Sequence, residues 1–190
     1  MNTDKTLRDL ALLAARLTLG GTIAAHGAQK LFGAFGGPGP DAAAKMMHSL
    51  GLRPGERYAT AASAAEMTSG ALISAGALGP VGPAILTSIM LMAIETVHRP
   101  KGYFNSNGGF EMNAMYLTIA LLLANVGYGS LSLDGLTGLG NKIRPMHGWL
   151  ALAGAVAGTI AMLSQRETGE GPPQTSRDEA PAPQKSESRV

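Results

Sequence analysis

The sequence predicts an all-α, polytopic membrane protein: a four-helix bundle core with a fifth, C-terminal transmembrane helix. Three observations carry this reading. Only 15% of the residues are charged against 45% hydrophobic, and many of the charges fall in the first ten residues or after Arg166. The body between them contains five charge-poor stretches that approach the roughly 20 apolar residues a spanning helix needs. Some of the connections between these stretches are too short for anything but a turn between antiparallel helices.

The first segment runs near residues 7–32 and holds "RLTLGGTIAAHGAQKLF". The second, near 57–78, is rich in Ala, Ser and Gly. The third, near 81–98, follows directly across "GALGPVGP". The fourth is near 111–128 and the fifth near 147–164. A soluble bundle would need polar faces at helical spacing, but the outer faces of segments three to five would be Leu, Met, Ile and Ala. A cleaved signal peptide is the other reading of the N-terminus, with Lys5 and Arg8 as its basic region. Arg16 interrupts its apolar core, and no clean small-x-small site follows. Between segments one and two, "DAAAKMMHSLGL" reads as a short amphipathic helix at the membrane interface. Residues 1–165 thus form the membrane unit. Residues 166–190, with mixed charge and Pro and almost nothing apolar, form a tail expected to be disordered.

Composition also excludes. There is no cysteine, so disulfides, thiolate catalysis and Cys-ligated metal centres are ruled out. A net charge of +2, without a basic stripe interleaved with aromatics, gives no sign of a nucleic-acid partner. No metal site is expected. The glycines of "GAFGGPGPD" are not a phosphate loop, since no Gly-Lys-Ser/Thr follows, and "GLTGLG" follows no strand.

The charges left inside the apolar segments are the candidates for function. A charge at the bilayer centre costs roughly 3 kcal/mol on insertion scales, so such residues face the bundle interior and are paired. On a helix, Arg16, His26 and Lys30 fall within an arc of about 80°. In segment two, Ala62, Glu66, Gly70 and Ser74 recur every fourth residue, a small-residue face with one carboxylate in it. Glu95 is followed by His98 and Arg99 at helical spacing, and Glu111, Thr118 and Asn125 are spaced by seven. Let side X be the membrane face near Phe32 and side Y the opposite face. Antiparallel order then puts Lys30, Glu95, His98 and Glu111 within about one turn of side X, with His26 about 9 Å and Glu66 about 13 Å inside it. Arg16 is nearer side Y, where Asp134 can fold back to meet it. The expected cluster is Arg16, His26, Lys30, Glu66, Glu95, Glu111 and Asp134. Simple locking of helices by ion pairs is the competing role for these residues, and Lys30, Glu95, His98 and Arg99 can also snorkel at headgroup depth. A heme held between His26 and His98 is a further alternative, although neither lies in a heme-specific motif. Lys and Arg are modestly more frequent on side X, which makes that side cytoplasmic, with the N-terminus outside and the tail inside.

"RLTLGGTIAAHGAQKLFGAFGGPG" and "GGFEMNAMYLTIALLLANVGYGSLSLDGL" together resemble the two marks of the DoxX family of membrane proteins. The first is an early Arg followed by His-Gly-x-x-Lys-Leu-Phe-Gly, and the second is Gly-Gly-x-Glu followed by Ser-Leu-Asp. The resemblance covers roughly residues 8–137 and leaves segment five and the tail outside. It implies a four-helix protein of the bacterial inner membrane. It further implies a link to DoxD, the membrane subunit of a thiosulfate:quinone oxidoreductase, and to mycobacterial members associated with superoxide dismutase and a sulfurtransferase. Carried over by motif, the marked positions are Arg16, His26, Lys30, Glu111 and Asp134, and Glu66 joins them.

Three functions follow. The first is the membrane subunit of a quinone-linked oxidoreductase or oxidative-stress complex, with quinone as a non-covalent cofactor. An apolar slot, a donor such as His26 or Lys30, and a titratable Glu66 or Glu111 would suit it. The second is a non-enzymatic scaffold that recruits soluble redox enzymes through the 33–56 loop and the tail. The third is a small-solute transporter, disfavoured by the absence of an internal repeat. The lipid bilayer is the expected environment, and a homo-oligomer stays open.

Overall fold

A computed structural model describes residues 3–167 of the chain. The expected disorder of the tail falls, from residue 168 on, outside the described residues. Among the described residues seven α-helices form: α1 Thr3–Phe32, α2 Gly39–Ser49, α3 Gly55–Ala75, α4 Val81–Ala93, α5 Glu111–Val126, α6 Leu133–Thr137 and α7 Pro145–Ser164. A wider helical turn, Ile94–His98, continues α4 toward side X. The order and approximate bounds of the five expected segments correspond to α1, α3, α4, α5 and α7.

Three of these helical stretches are long and apolar enough to cross a membrane: Thr3–Phe32, Val81–Lys101 and Pro145–Ser164. Glu111–Val126 is apolar but shorter, about 24 Å at 1.5 Å per residue. The helix α3 has the length but not the hydropathy. The reason is its place in the bundle: α3 packs against α1 most extensively, and against α2 and α4 as well. A helix enclosed by neighbours meets less lipid, so small and polar residues are tolerated on it.

The interior is an apolar core of Leu12, Leu19, Ile23, Ile73, Leu86, Met90, Ala120, Leu123 and Tyr128, drawn from α1, α3, α4, α5 and the loop after α5. The fifth long helix, α7, lies outside this core against α4 and α5. Ser88 donates to the Ala155 carbonyl at 3.2 Å and helps to fix α7 there. The chain leaves α7 beside the α2–α3 connection: Arg166 Nε donates to the Leu50 carbonyl, and Glu167 N donates to the Gly51 carbonyl at 3.0 Å. The end of α7 therefore lies on the side where α1 ends, as an odd number of traverses requires. The first two residues expected in the tail are thus placed rather than free. The helix α2 is also more than an interfacial strip. Ala43 and Ala44 are buried against Ala59 of α3.

Large exposed aromatics gather at the side-X end of the bundle, and one stands at the other end. Phe32, Phe35, Tyr103 and Phe104 are exposed on side X, and Trp149 is exposed in the first turns of α7 on side Y. Such amphipathic or apolar rings at headgroup level are the usual interfacial belt of a membrane protein.

Candidate functional site

The chain brings one pair of the expected cluster together. Lys30, in the last turn of α1, donates to Glu66 Oε1 of α3 at 2.5 Å. The Glu66 side chain is 6% exposed and that of Lys30 is 25% exposed. Their meeting follows from local sequence. Glycine at 20 and 70 lets α1 and α3 touch backbone to backbone: a Cβ at Gly70 would overlap the Gly20 carbonyl oxygen and the Ala24 amide. At such close approach a lysine on one helix reaches a carboxylate on the other. Charge-assisted bonds of this kind are among the stronger hydrogen bonds. Glu66 Oε2 is buried and accepts no hydrogen bond among the described residues.

The pair stands in the wall of an apolar groove of about 500 Å³. Met46, Met47, Leu50 and Leu52 contribute from α2 and the loop after it, Ala61, Ala62 and Ala65 from α3, Ile85, Ile89 and Met92 from α4, and Thr159 and Met162 from α7. Lys30 also lines a second, smaller cleft of about 80 Å³ whose other walls include Asp41, Glu56, Thr60 and Ser63. A groove lined by aliphatic side chains, with one donor and one free carboxylate oxygen, can hold an apolar ring that carries polar oxygens.

The other expected members are not in this cluster. His26 is exposed on α1. Its position on the helix satisfies the arc with Lys30, but burial follows contact with α3, and the edge of that arc falls outside the contact. Glu95 is exposed and pairs with Arg99 one turn on, at 2.6 Å. Glu111 accepts from the Asn105 amide at 2.9 Å, tying the α4–α5 loop to the start of α5. Both acids sit at helix ends, where a local partner is nearer than Lys30. His98 contacts the Gly108 carbonyl through Nδ1 at 2.7 Å.

Arg16 and Asp134 are both buried near side Y, but they do not pair. The two Asp134 oxygens accept from the Leu78 and Gly79 amides at 2.9 and 2.6 Å. Ser132 explains this placement. It caps α6 by accepting from the Gly135 amide at 3.0 Å, which sets Asp134 in the first turn facing the α3–α4 connection. Leu78 has a φ of 58°, a conformation that is costly for a branched side chain. The Asp134 carboxylate holds the turn there. Two backbone donors lie closer to hand than the guanidinium, so they take the carboxylate. Arg16, 1% exposed, donates instead to the Leu131 carbonyl at 2.5 Å and lies over the Tyr128 ring at 5.7 Å. Its Nε and Nη1 make no hydrogen bond among the described residues.

Sequence reasoning passed over Asp9 and Tyr128. Asp9 is buried, accepts from Ser130 Oγ and lies 3.5 Å from Arg8. Its spacing of seven residues from Arg16, two turns of one helix face, was the available signal. Tyr128 lies in the loop beyond α5, which ends at Val126. Burial raises its phenol above the ordinary range, the Asp134 carboxylate adds to the rise, and Arg16 opposes it. With Ser130, Ser132 and Asp134, Tyr128 lines a third, more polar cavity of about 430 Å³ on side Y. Among the described residues no group of His, Asp and Glu is placed to hold a metal ion.

Apolar spanning helices, interfacial aromatics and an interior ion pair define a polytopic helical membrane protein. The DoxX family model matches residues 11–99, and over that segment the chain is similar to the DoxX family. The match takes in Arg16, Lys30 and Glu66 and ends before Glu111 and Asp134. No curated protein and no solved structure matches the chain.

Proposed function

We propose that this protein is the membrane subunit of a quinone-linked oxidoreductase or oxidative-stress complex of the bacterial inner membrane, and that the groove between α2, α3, α4 and α7 receives the quinone ring. One observation carries the reading: a lysine and a buried carboxylate with a free oxygen meet in the wall of an apolar groove of about 500 Å³. Bound there, a quinone would supply two-electron redox chemistry coupled to protons. The protein's part is to hold the ring among aliphatic side chains, present the Lys30 ammonium to a carbonyl oxygen, and exchange a proton at Glu66. General acid–base groups act in this way when they lie within hydrogen-bond reach. Electrons would pass to or from a soluble redox partner docked on side X, the cytoplasmic side, with the N-terminus outside.

The test is binding of a short-chain benzoquinone or naphthoquinone to the purified protein in detergent, followed by calorimetry and by photo-crosslinking. The expected result is saturable binding that Ala62→Trp, which fills the groove wall, abolishes. Absence of saturable binding would remove the quinone reading and leave the scaffold role. In that role the same helices would only anchor soluble enzymes to the membrane.

A further inference from the structure

Lys30 stands between two spaces of opposite character. On one side is the apolar groove, and on the other is the cleft of about 80 Å³ beside Asp41 and Glu56. Asp41, Glu56 and Thr60 are exposed, so that cleft meets water on side X. Its volume admits a few water molecules, and its polar walls give them partners. Glu66, nine-tenths buried, turns one oxygen to Lys30 and leaves the other free of hydrogen bonds among the described residues. Among the described residues, the titratable residue lining either space besides Lys30, Glu66, Asp41 and Glu56 is Tyr58. Thus the lysine is the polar link between side-X water and an oxygen buried at the groove.

We propose that Lys30 is a proton conduit from the acid-lined cleft to Glu66. The Lys30 ammonium passes a proton to the Glu66 carboxylate. The neutral amine then takes a proton from a hydronium ion in the cleft, where Asp41 and Glu56 raise the local concentration of cations. One proton moves from side X to the groove, no electron moves, and the reverse sequence returns it. On the quinone reading, which this deepens, proton uptake for the reaction in the groove is confined to side X. The conduit itself needs no quinone.

A hydrophobic carbodiimide tests it, because that reagent modifies a buried carboxyl only in its protonated form. Membrane vesicles of the two opposite orientations would be held at fixed internal pH while the external pH is varied, and Glu66 modification would be scored by mass spectrometry. The expected result is a rate that rises about tenfold per unit fall in side-X pH over its responsive range and ignores side-Y pH. Alkylating a cysteine at Thr60→Cys, in this cysteine-free chain, should slow that response at least fivefold. Lys30→Arg, a permanent cation unable to relay a proton, should make it sluggish with the pairing charge retained. A rate that follows side-Y pH, ignores the blocked cleft, or is zero at every pH overturns the conduit. Failure of quinone binding alone overturns only the reading of the groove.

Discussion

Gly20 of α1 and Gly70 of α3 face each other so closely that a Cβ on either would strike the carbonyl oxygen of the other. This crossing sets the distance between the two helices and thereby lets Lys30 reach Glu66. Adding bulk at such a contact forces backbone shifts and costs about 1–3 kcal/mol. Gly70→Leu should therefore lower thermal stability in detergent and break the ion pair. Gly21→Ala, where a Cβ meets nothing within 4 Å, should be neutral or slightly stabilising. A Gly70→Leu protein as stable as the parent would remove the crossing from the account.

The Lys30–Glu66 pair should respond asymmetrically to mutation. Removing one member of a buried pair costs about 3–5 kcal/mol, because the survivor stays charged and unpaired. Lys30 is one-quarter exposed and can snorkel into the cleft, so Glu66→Leu should fall below that range. Lys30→Met strands a carboxylate that has no such exit and should lie within it. The double variant Lys30→Met/Glu66→Leu should be more stable than Lys30→Met alone. Chemical or thermal unfolding of the four proteins gives the comparison, and strict additivity would contradict a direct pair.

Asp134 holds the turn between α3 and α4, and its loss should act through the backbone. Asp134→Ala leaves the buried Gly79 amide and the partly buried Leu78 amide without acceptors, at about 1–3 kcal/mol for each fully buried group. Asp134→Asn keeps one acceptor oxygen and should cost about half as much. Faster hydrogen exchange at Leu78 and Gly79 would be the local signature. If only residues near Arg16 became labile, the carboxylate would have to be reassigned.

The bond from Arg166 to the Leu50 carbonyl ties the end of α7 to the wall of the groove. Arg166→Ala should raise amide exchange over residues 50–53 severalfold with little change in global stability. The neighbouring Arg53–Glu167 pair is more than half exposed on both sides, where ion pairs contribute about 0–1 kcal/mol. Glu167→Gln should therefore have a small effect, and a larger one than Arg166→Ala would reverse the assignment.

Tyr128 gives the pH dependence. Its folded phenol titrates above the unfolded one because burial disfavours the phenolate. Its contribution to stability is therefore complete below the unfolded value, near 10, and is lost as the pH rises from there through the folded value. Ultraviolet titration of the folded protein should show one of the four tyrosines ionising late. Tyr128→Phe should remove that late step and flatten the alkaline loss of stability.

The chain alone determined the helices. Apolar runs of near-spanning length, broken by Gly and Pro, have no other way to satisfy their backbone groups in lipid, so α1, α4, α5 and α7 were legible with bounds close to those observed, and α3 was legible as a charge-poor stretch of small residues between two of them. Glu66 was legible too, because a carboxylate in a small-residue stripe needs a nearby cation. Which charges meet was decided by tertiary packing. An arc on α1 could place Arg16, His26 and Lys30 together, but only contact with α3 separates exposed His26 from paired Lys30. Depth could place Arg16 and Asp134 on one side, but two backbone amides of the α3–α4 turn reach the carboxylate first. Hydrophobic periodicity fixes a helix and its depth from residues close in sequence. The partner of a buried charge depends on distances of a few ångströms between segments far apart in the chain, and those exist only once the helices have packed.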